Sequence, residues 1–176
     1  MKTKKIEFAV FILTHGRPEN IHILKTLKNC GYTGPIYIVV DDEDKTAPKY
    51  KELYGDQVIM FCKKDMADMV DEGDNFDERR AIQHARNATY ILAKELNVKF
   101  WIQLDDDYTA FAYRLYGKDK PNQPVKSLDK VFGYMLDFYK SVPAVTIAMS
   151  QGGDFIGGKH NPLAKRPLKK RKAMNS

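Results

Sequence analysis

The chain of 176 residues reads as an α/β protein with a mostly parallel, Rossmann-like sheet flanked by helices. Three observations predict this. Apolar runs recur, and each ends in a polar or acidic turn: residues 6–13 before Thr14-His15-Gly16-Arg17-Pro18, residues 36–40 before Asp41-Asp42-Glu43-Asp44, and residues 100–104 before Asp105-Asp106-Asp107. Helical patterns separate these runs, and a strand, helix, strand order implies parallel pairs joined by right-handed crossovers. Parallel strands bring their ends to one side of the sheet, which is where open α/β folds place ligands.

Residues 6–13 suit a central strand. A helix is expected next: Pro18 fits a first helical turn, Ile21, Leu24 and Leu27 make an apolar stripe, and Gly31 supplies the stop. Thr33-Gly34-Pro35 turns the chain into the strand at 36–40. A short helix over 48–54, stopped by Gly55, precedes a third strand over 58–61, and Asp71-Glu72-Gly73-Asp74-Asn75 is a polar loop. Residues 76–96 are strongly helical in pattern, with Ala81, Ile82, Ala85, Ala88, Leu92 and Leu96 on one face at spacings of three and four. That helix feeds the strand at 100–104. Beyond it, residues 108–116 alternate as an edge strand, and 118–126 form a loop. Ser127 can cap a helix carrying Leu128, Val131, Phe132, Met135 and Leu136, and 145–149 form a last strand. A glycine-rich loop over 151–158 and a basic tail follow, and there is no internal repeat.

At this length one domain is expected, over residues 1–160, with the basic tail over 161–176. An apolar content of 43% with 30% charged residues fits a soluble globular protein, and no run approaches the roughly 20 apolar residues of a membrane span. The basic N-terminus lacks the cleavage pattern of a signal peptide. Cys30 and Cys62 cannot build a disulfide framework or a metal knuckle, which fits a reducing cytoplasm. Net charge is +6, and Lys165, Arg166, Lys169, Lys170, Arg171 and Lys172 account for it. Such a tail suits phosphate backbones, or is a solvated end.

Three adjacent carboxylates repel one another unless a cation stands among them. A divalent metal is the economical account of Asp105-Asp106-Asp107, and a solvated acidic loop is the plain one. Asp105 and Asp107, one residue apart, can share Mg²⁺ or Mn²⁺, which prefer oxygen donors, and the ion would stabilise a diphosphate as a leaving group. Arg79, Arg80 and Arg86 either serve an anion or pair with Asp74, Asp77 or Glu78. His15, beside Arg17, either touches a phosphate or is simply exposed. Tyr90, Phe100 and Trp101 read as core.

The motifs, taken in order, resemble a known family. Ala85-Arg86-Asn87-Ala88 ahead of Leu104-Asp105-Asp106-Asp107, together with Val39-Val40-Asp41-Asp42-Glu43-Asp44, is similar to nucleotide-sugar glycosyltransferases of the GT-A fold, including glycosyltransferase family 2. More closely, Leu13-Thr14-His15-Gly16-Arg17-Pro18, Gly31-Tyr32-Thr33-Gly34-Pro35-Ile36-Tyr37, Asp71-Glu72-Gly73-Asp74-Asn75-Phe76 and Gln103-Leu104-Asp105-Asp106-Asp107-Tyr108-Thr109 resemble the TET-associated glycosyltransferases, which occur largely in phages. The resemblance implies a GT-A fold and metal-dependent transfer from a nucleotide-sugar donor, a UDP-sugar before others. The acceptor it implies is a hydroxylated base such as 5-hydroxymethylcytosine in DNA. A cytoplasmic setting follows, that of the host if the chain is phage-encoded. In the family pattern Asp105 and Asp107 hold Mn²⁺ or Mg²⁺, Asp41 meets the donor base, and Thr14 and Arg17 line the nucleotide pocket; Asp106, between the two metal ligands, is expected to face the sugar. Arg80, Arg86 and Asn87 lie near the diphosphate or brace its loop. One departure is that the acceptor wall and catalytic base of inverting enzymes usually follow the last strand, whereas Asp154 is the sole acid in residues 150–176. The expectation is therefore the donor-binding part of a longer enzyme, or a minimal one.

Two other readings compete. Asp105-Asp106-Asp107-Tyr108-Thr109 matches the D-x-D-x-T of haloacid-dehalogenase-type phosphatases, although that motif ordinarily lies on an early strand. A non-catalytic module that binds nucleotide sugars or nucleic acid would explain the basic tail and the missing base.

Overall fold

Residues Ala9 to Leu13 are buried without interruption, as expected of a strand covered on both faces. They belong to β1 (Ile6–Leu13), which lies between β2 (Ile36–Asp41) and β4 (Val98–Asp105); β3 (Val58–Phe61) pairs with the far side of β2. All three pairings are parallel, in the order β3-β2-β1-β4. The computed structural model describes residues 5–69, 82–113 and 122–149. The polar loop at 71–75, the first part of the helix expected from 76, Arg79, Arg80, the glycine-rich loop and the basic tail lie outside those residues.

The helices in order are α1 (His22–Asn29), α2 (Ala47–Tyr54), α3 (Lys63–Asp68), α4 (Gln83–Glu95) and α5 (Leu128–Ser141). The chain divides into two compact units, one formed by Met1–Lys25 with Gly34–Tyr108, the other by Thr26–Thr33 with Thr109–Ser176. The first unit contains the parallel sheet. Strand side chains alternate between faces, and Ala9, Phe11, Leu13, Val39 and Phe61 share one face, where they pack with Met66 of α3 and Ala88, Leu92 and Ala93 of α4. The opposite phase, Val10, Ile12, Ile38 and Val40, is equally buried. This is the Rossmann-like α/β sheet that the acid-tipped runs predicted.

Several boundaries differ from the sequence reading. Pro18 does not open α1; residues 14–20 form a loop whose backbone is committed to α2, and the helix starts at His22. Ile82, placed on the apolar face, is half-exposed ahead of α4, whereas His84 and Thr89 are fully buried. The short α3 was not expected at all. In the second unit, residues 145–149 are not a strand: among the described residues no strand pairs with them, and Val145 is largely exposed. The edge strand expected over 108–116 reduces, among the described residues, to β5 (Ala112–Tyr113), antiparallel to β6 (Gln123–Pro124). Ser127 stands at the N-cap position of α5 without a side-chain cap bond. Asp129 instead accepts the Thr33 N–H and hydroxyl at 2.9 and 2.7 Å.

Candidate functional site

Because the sheet is parallel, register alone brings the acids together. Leu13 is paired with Val39 on one side and with Asp105 on the other, and Asp41 is paired with Phe61. From β1 the chain moves outward to β2 and β3, then returns to β4 on the other flank. The strand order therefore reverses between β1 and β4, the kind of point where open α/β sheets bind ligands. A cleft of about 530 Å³ opens there. Thr14, His15, Arg17, Asp41, Lys63, Arg86 and Asp105 to Asp107 line it, and all belong to the sheet-bearing unit.

The β1 loop is fixed by a chain of hydrogen bonds. Asp106 is 1% exposed, and its Oδ2 accepts the Thr14 hydroxyl at 2.6 Å. With that proton given away, Thr14 Oγ1 accepts from the Tyr50 hydroxyl at 2.9 Å, and the Tyr50 oxygen accepts the Arg17 N–H at 2.9 Å. Burial pushes the Tyr50 phenol above its ordinary value, against the pull of its bonds to Thr14 and Arg17. Arg17 Nη2 closes the circuit on Asp106 Oδ1 at 2.7 Å, and the Asp106 carbonyl accepts the Ile23 N–H at 3.1 Å. Tyr54 donates to the Pro18 carbonyl at 2.8 Å and pins the end of the same loop.

A second cluster occupies the flank towards β2 and β3. Asp41, 5% exposed, is gripped by His15 Nδ1 at 2.7 Å on Oδ2 and by Lys63 Nζ at 3.4 Å on Oδ1. Lys63 is itself buried, and its N–H bonds Asp42 at 2.9 Å. Behind His15, Asp44 accepts the Gly16 N–H at 2.7 Å and the Thr46 N–H and hydroxyl at 2.8 and 2.7 Å. Burial raises the Asp44 pKa, but the bonds from Thr46 and Gly16, with His15 nearby, outweigh it and hold the carboxyl below its ordinary value. Gly16 has φ +70°, a conformation that favours glycine, and it aims its N–H at Asp44.

The β4 flank is looser. Asp105 receives the Tyr108 hydroxyl at 3.1 Å and faces Arg86 Nη2 at 3.6 Å, while Asp107 is exposed. Arg86 is held from α4 by its own carbonyl, which accepts Thr89 at 2.7 Å and Gln103 at 3.2 Å. Gln103 and Trp101 both donate to Thr89 Oγ1, so β4 and this turn of α4 are joined by polar contacts within the core. Among the described residues no three His, Cys, Asp or Glu side chains form a metal-holding group.

The structure thus brings together Thr14, Arg17, Asp41, Arg86, Asp105, Asp106 and Asp107. Arg80 lies outside the described residues, and Asn87 is exposed on α4 and does not line the cleft. Asp106 turns inward to Thr14 and Arg17, so its carboxylate is spent on the β1 loop. Sequence reasoning missed Lys63 and Tyr50 and gave His15 no settled role. The available signal was register: with Leu13 opposite Val39, His15 falls opposite Asp41.

No helix among the described residues is long and apolar enough to cross a membrane. No curated protein sequence and no solved structure matches the chain. The model of the TET-Associated Glycosyltransferase family does match, over residues 8–176, nearly the entire length, and the chain belongs to that family.

Proposed function

As a member of the TET-associated glycosyltransferases, this chain is, we propose, a Mn²⁺- or Mg²⁺-dependent enzyme that moves a sugar from a nucleotide-sugar donor, a UDP-sugar before others, to a hydroxylated base such as 5-hydroxymethylcytosine in DNA. The observation that carries this reading is the meeting of Asp105, Asp107 and Arg86 in one cleft at the switch point of the sheet. A pair of carboxylates such as Asp105 and Asp107 suits a small hard cation, because Mg²⁺ and Mn²⁺ keep waters and complete their shells with substrate phosphates. When bound, the ion supplies Lewis acidity to the departing diphosphate.

The chain's own groups do the rest. Asp105 and Asp107 hold the ion. Arg86, beside Asp105, offers a planar fork of donors to phosphate oxygens, and Arg17 keeps donors beyond the one given to Asp106. Thr14 and Asp106 shape the nucleotide pocket from behind by fixing the β1 loop. Arg80 keeps its place near the diphosphate on the family pattern, while the exposure of Asn87 leaves that work to Arg86. The basic residues at 165–172 supply charge for a DNA backbone. Family membership favours this reading over phosphatase chemistry at Asp105-Asp106-Asp107-Tyr108-Thr109.

Mass spectrometry of hydroxymethylated DNA, incubated with the protein, Mn²⁺ and a panel of sugar nucleotides, tests the proposal. A metal-dependent mass gain of one sugar is expected, and it names donor and acceptor together. No gain with any donor contradicts transfer to this acceptor, and no gain with donor binding retained points to a binding module.

A further inference from the structure

Two arginine–aspartate pairs face the same cleft, and only one of them is closed. Arg17 Nη2 reaches Asp106 Oδ1 at 2.7 Å, the length of a charge-assisted hydrogen bond, whereas Arg86 Nη2 stops 3.6 Å from Asp105 Oδ1. Among the described residues Arg86 Nε has no hydrogen-bond partner. The backbone beneath that side chain is, by contrast, tightly held.

The holding group is an amide in an apolar place. Gln103 is paired in register with Phe11 of β1, on the sheet face that packs against α4, and it is 3% exposed. A buried amide costs free energy unless its donors are used. Nε2 has two protons, and it gives one to Thr89 Oγ1 at 2.7 Å and one to the Arg86 carbonyl at 3.2 Å. Thr89, fully buried, gives its own proton to the same carbonyl at 2.7 Å and also accepts from Trp101 Nε1 at 3.1 Å. A carbonyl oxygen only accepts, so the direction of each of these bonds is fixed. Gln103 precedes Asp105 by two residues and Arg86 lies in the first turn of α4, so the bracket sets the backbone of Arg86 against the strand that ends in Asp105.

We infer that Gln103 and Thr89 are positioning residues that act through Arg86. They hold its backbone so that the guanidinium stands beside Asp105 without closing on it and stays open to the phosphate oxygens of the ligand. This rests on the proposed donor reading. Without the bracket the two charges would pair at hydrogen-bond length, as Arg17 and Asp106 do, and would neutralise each other instead of serving a phosphate and a cation.

Calorimetry of Mn²⁺-pyrophosphate binding tests this on wild type, Thr89→Val, Thr89→Ser, Gln103→Met, Arg86→Ala and the Thr89→Val/Arg86→Ala double variant. Thr89→Val keeps the shape and removes the hydroxyl; loss of one charge-assisted hydrogen bond to the ligand predicts about tenfold weaker binding. Thr89→Ser, which keeps the hydroxyl, should bind as wild type does. Gln103→Met unties β4 while leaving Thr89 bonded to the Arg86 carbonyl; it should show a similar loss, and it reads the bracket should Thr89→Val fail to fold. In the Arg86→Ala background Thr89→Val should add nothing, an outcome that a merely structural role would not produce. Equal binding by wild type, Thr89→Val and Gln103→Met overturns the inference while leaving the donor reading intact. A loss just as large without Arg86 also overturns it, because the bracket then serves packing and not the arginine. Failure of wild type to bind Mn²⁺-pyrophosphate removes the donor reading and the inference with it.

Discussion

The two flanks of the cleft are built to different standards. Towards β2 and β3, Asp41 and Asp44 are buried and held by His15, Lys63, Gly16 and Thr46 at 2.7 to 3.4 Å. Towards β4, Asp107 is exposed, and the ion pair of Asp105 with Arg86 stretches to 3.6 Å. Asp106, which lies between the two, faces inward and ties the acid turn to the β1 loop. Like charges are tolerated on the first flank because protein donors compensate them. On the second flank, among the described residues, Asp105 is met by Tyr108 and by the longer pair with Arg86, and Asp107 is exposed. On the proposed donor reading the second flank would receive the charge of the ligand.

The sharpest way to break this contrast is at the loose flank. Asp105→Ala/Asp107→Ala should reduce sugar transfer by at least about 10³-fold, the scale of removing a group that stabilises transition-state charge. Its thermal unfolding should be unchanged or slightly improved, because adjacent like charges are relieved. Arg86→Ala should cost transfer about 10- to 100-fold, read as kcat/KM, with smaller effects on stability.

At the well-built flank, and at Asp106 between the two, the order reverses, with stability responding more than activity. Asp106→Asn leaves a single acceptor oxygen where Thr14 and Arg17 each use one, sets an amide N–H against the other donor, and should lower unfolding free energy in urea by about 2 kcal/mol. Arg17 is more than half exposed, so its ion pair adds little to that figure. Gly16→Ala meets no atom within 4 Å, so its cost is the left-handed backbone alone, about 1 to 2 kcal/mol. The smallest effect is the titration of Asp44. Its folded pKa is lowered, so its stabilisation is fully present above the ordinary value of 3.8 and is lost as pH falls below it. Asp44→Asn should flatten the acid limb of the melting temperature below about pH 4 and leave neutral pH comparatively little changed.

The sheet was legible because each strand announces itself twice, by an apolar run and by the polar turn that ends it. Parallel pairing put the acid tips of β2 and β4 on one side of the sheet, and the family resemblance added Thr14, Arg17 and Asp41 to the acids at Asp105 to Asp107. Residues 145–149 show the limit of that signal, since an apolar β-branched run becomes a strand only where a partner offers a free edge. The α3 helix, at six residues, is too short to display periodicity. Tyr50 and Lys63 escaped notice because their partners, Thr14 and Asp41, are 36 and 22 residues away. The inward turn of Asp106 was equally hidden, since three successive aspartates look alike until one meets a threonine and an arginine from another strand.

The central claim is that the loose flank takes a metal-bound diphosphate and the tight flank does not. Its most direct measurement is calorimetric titration of Mn²⁺-pyrophosphate into wild type, Asp105→Ala/Asp107→Ala and Asp41→Asn. Binding that is lost in the first variant and retained in the second is the predicted result. Binding that survives the loss of Asp105 and Asp107, or that depends equally on Asp41, would contradict it.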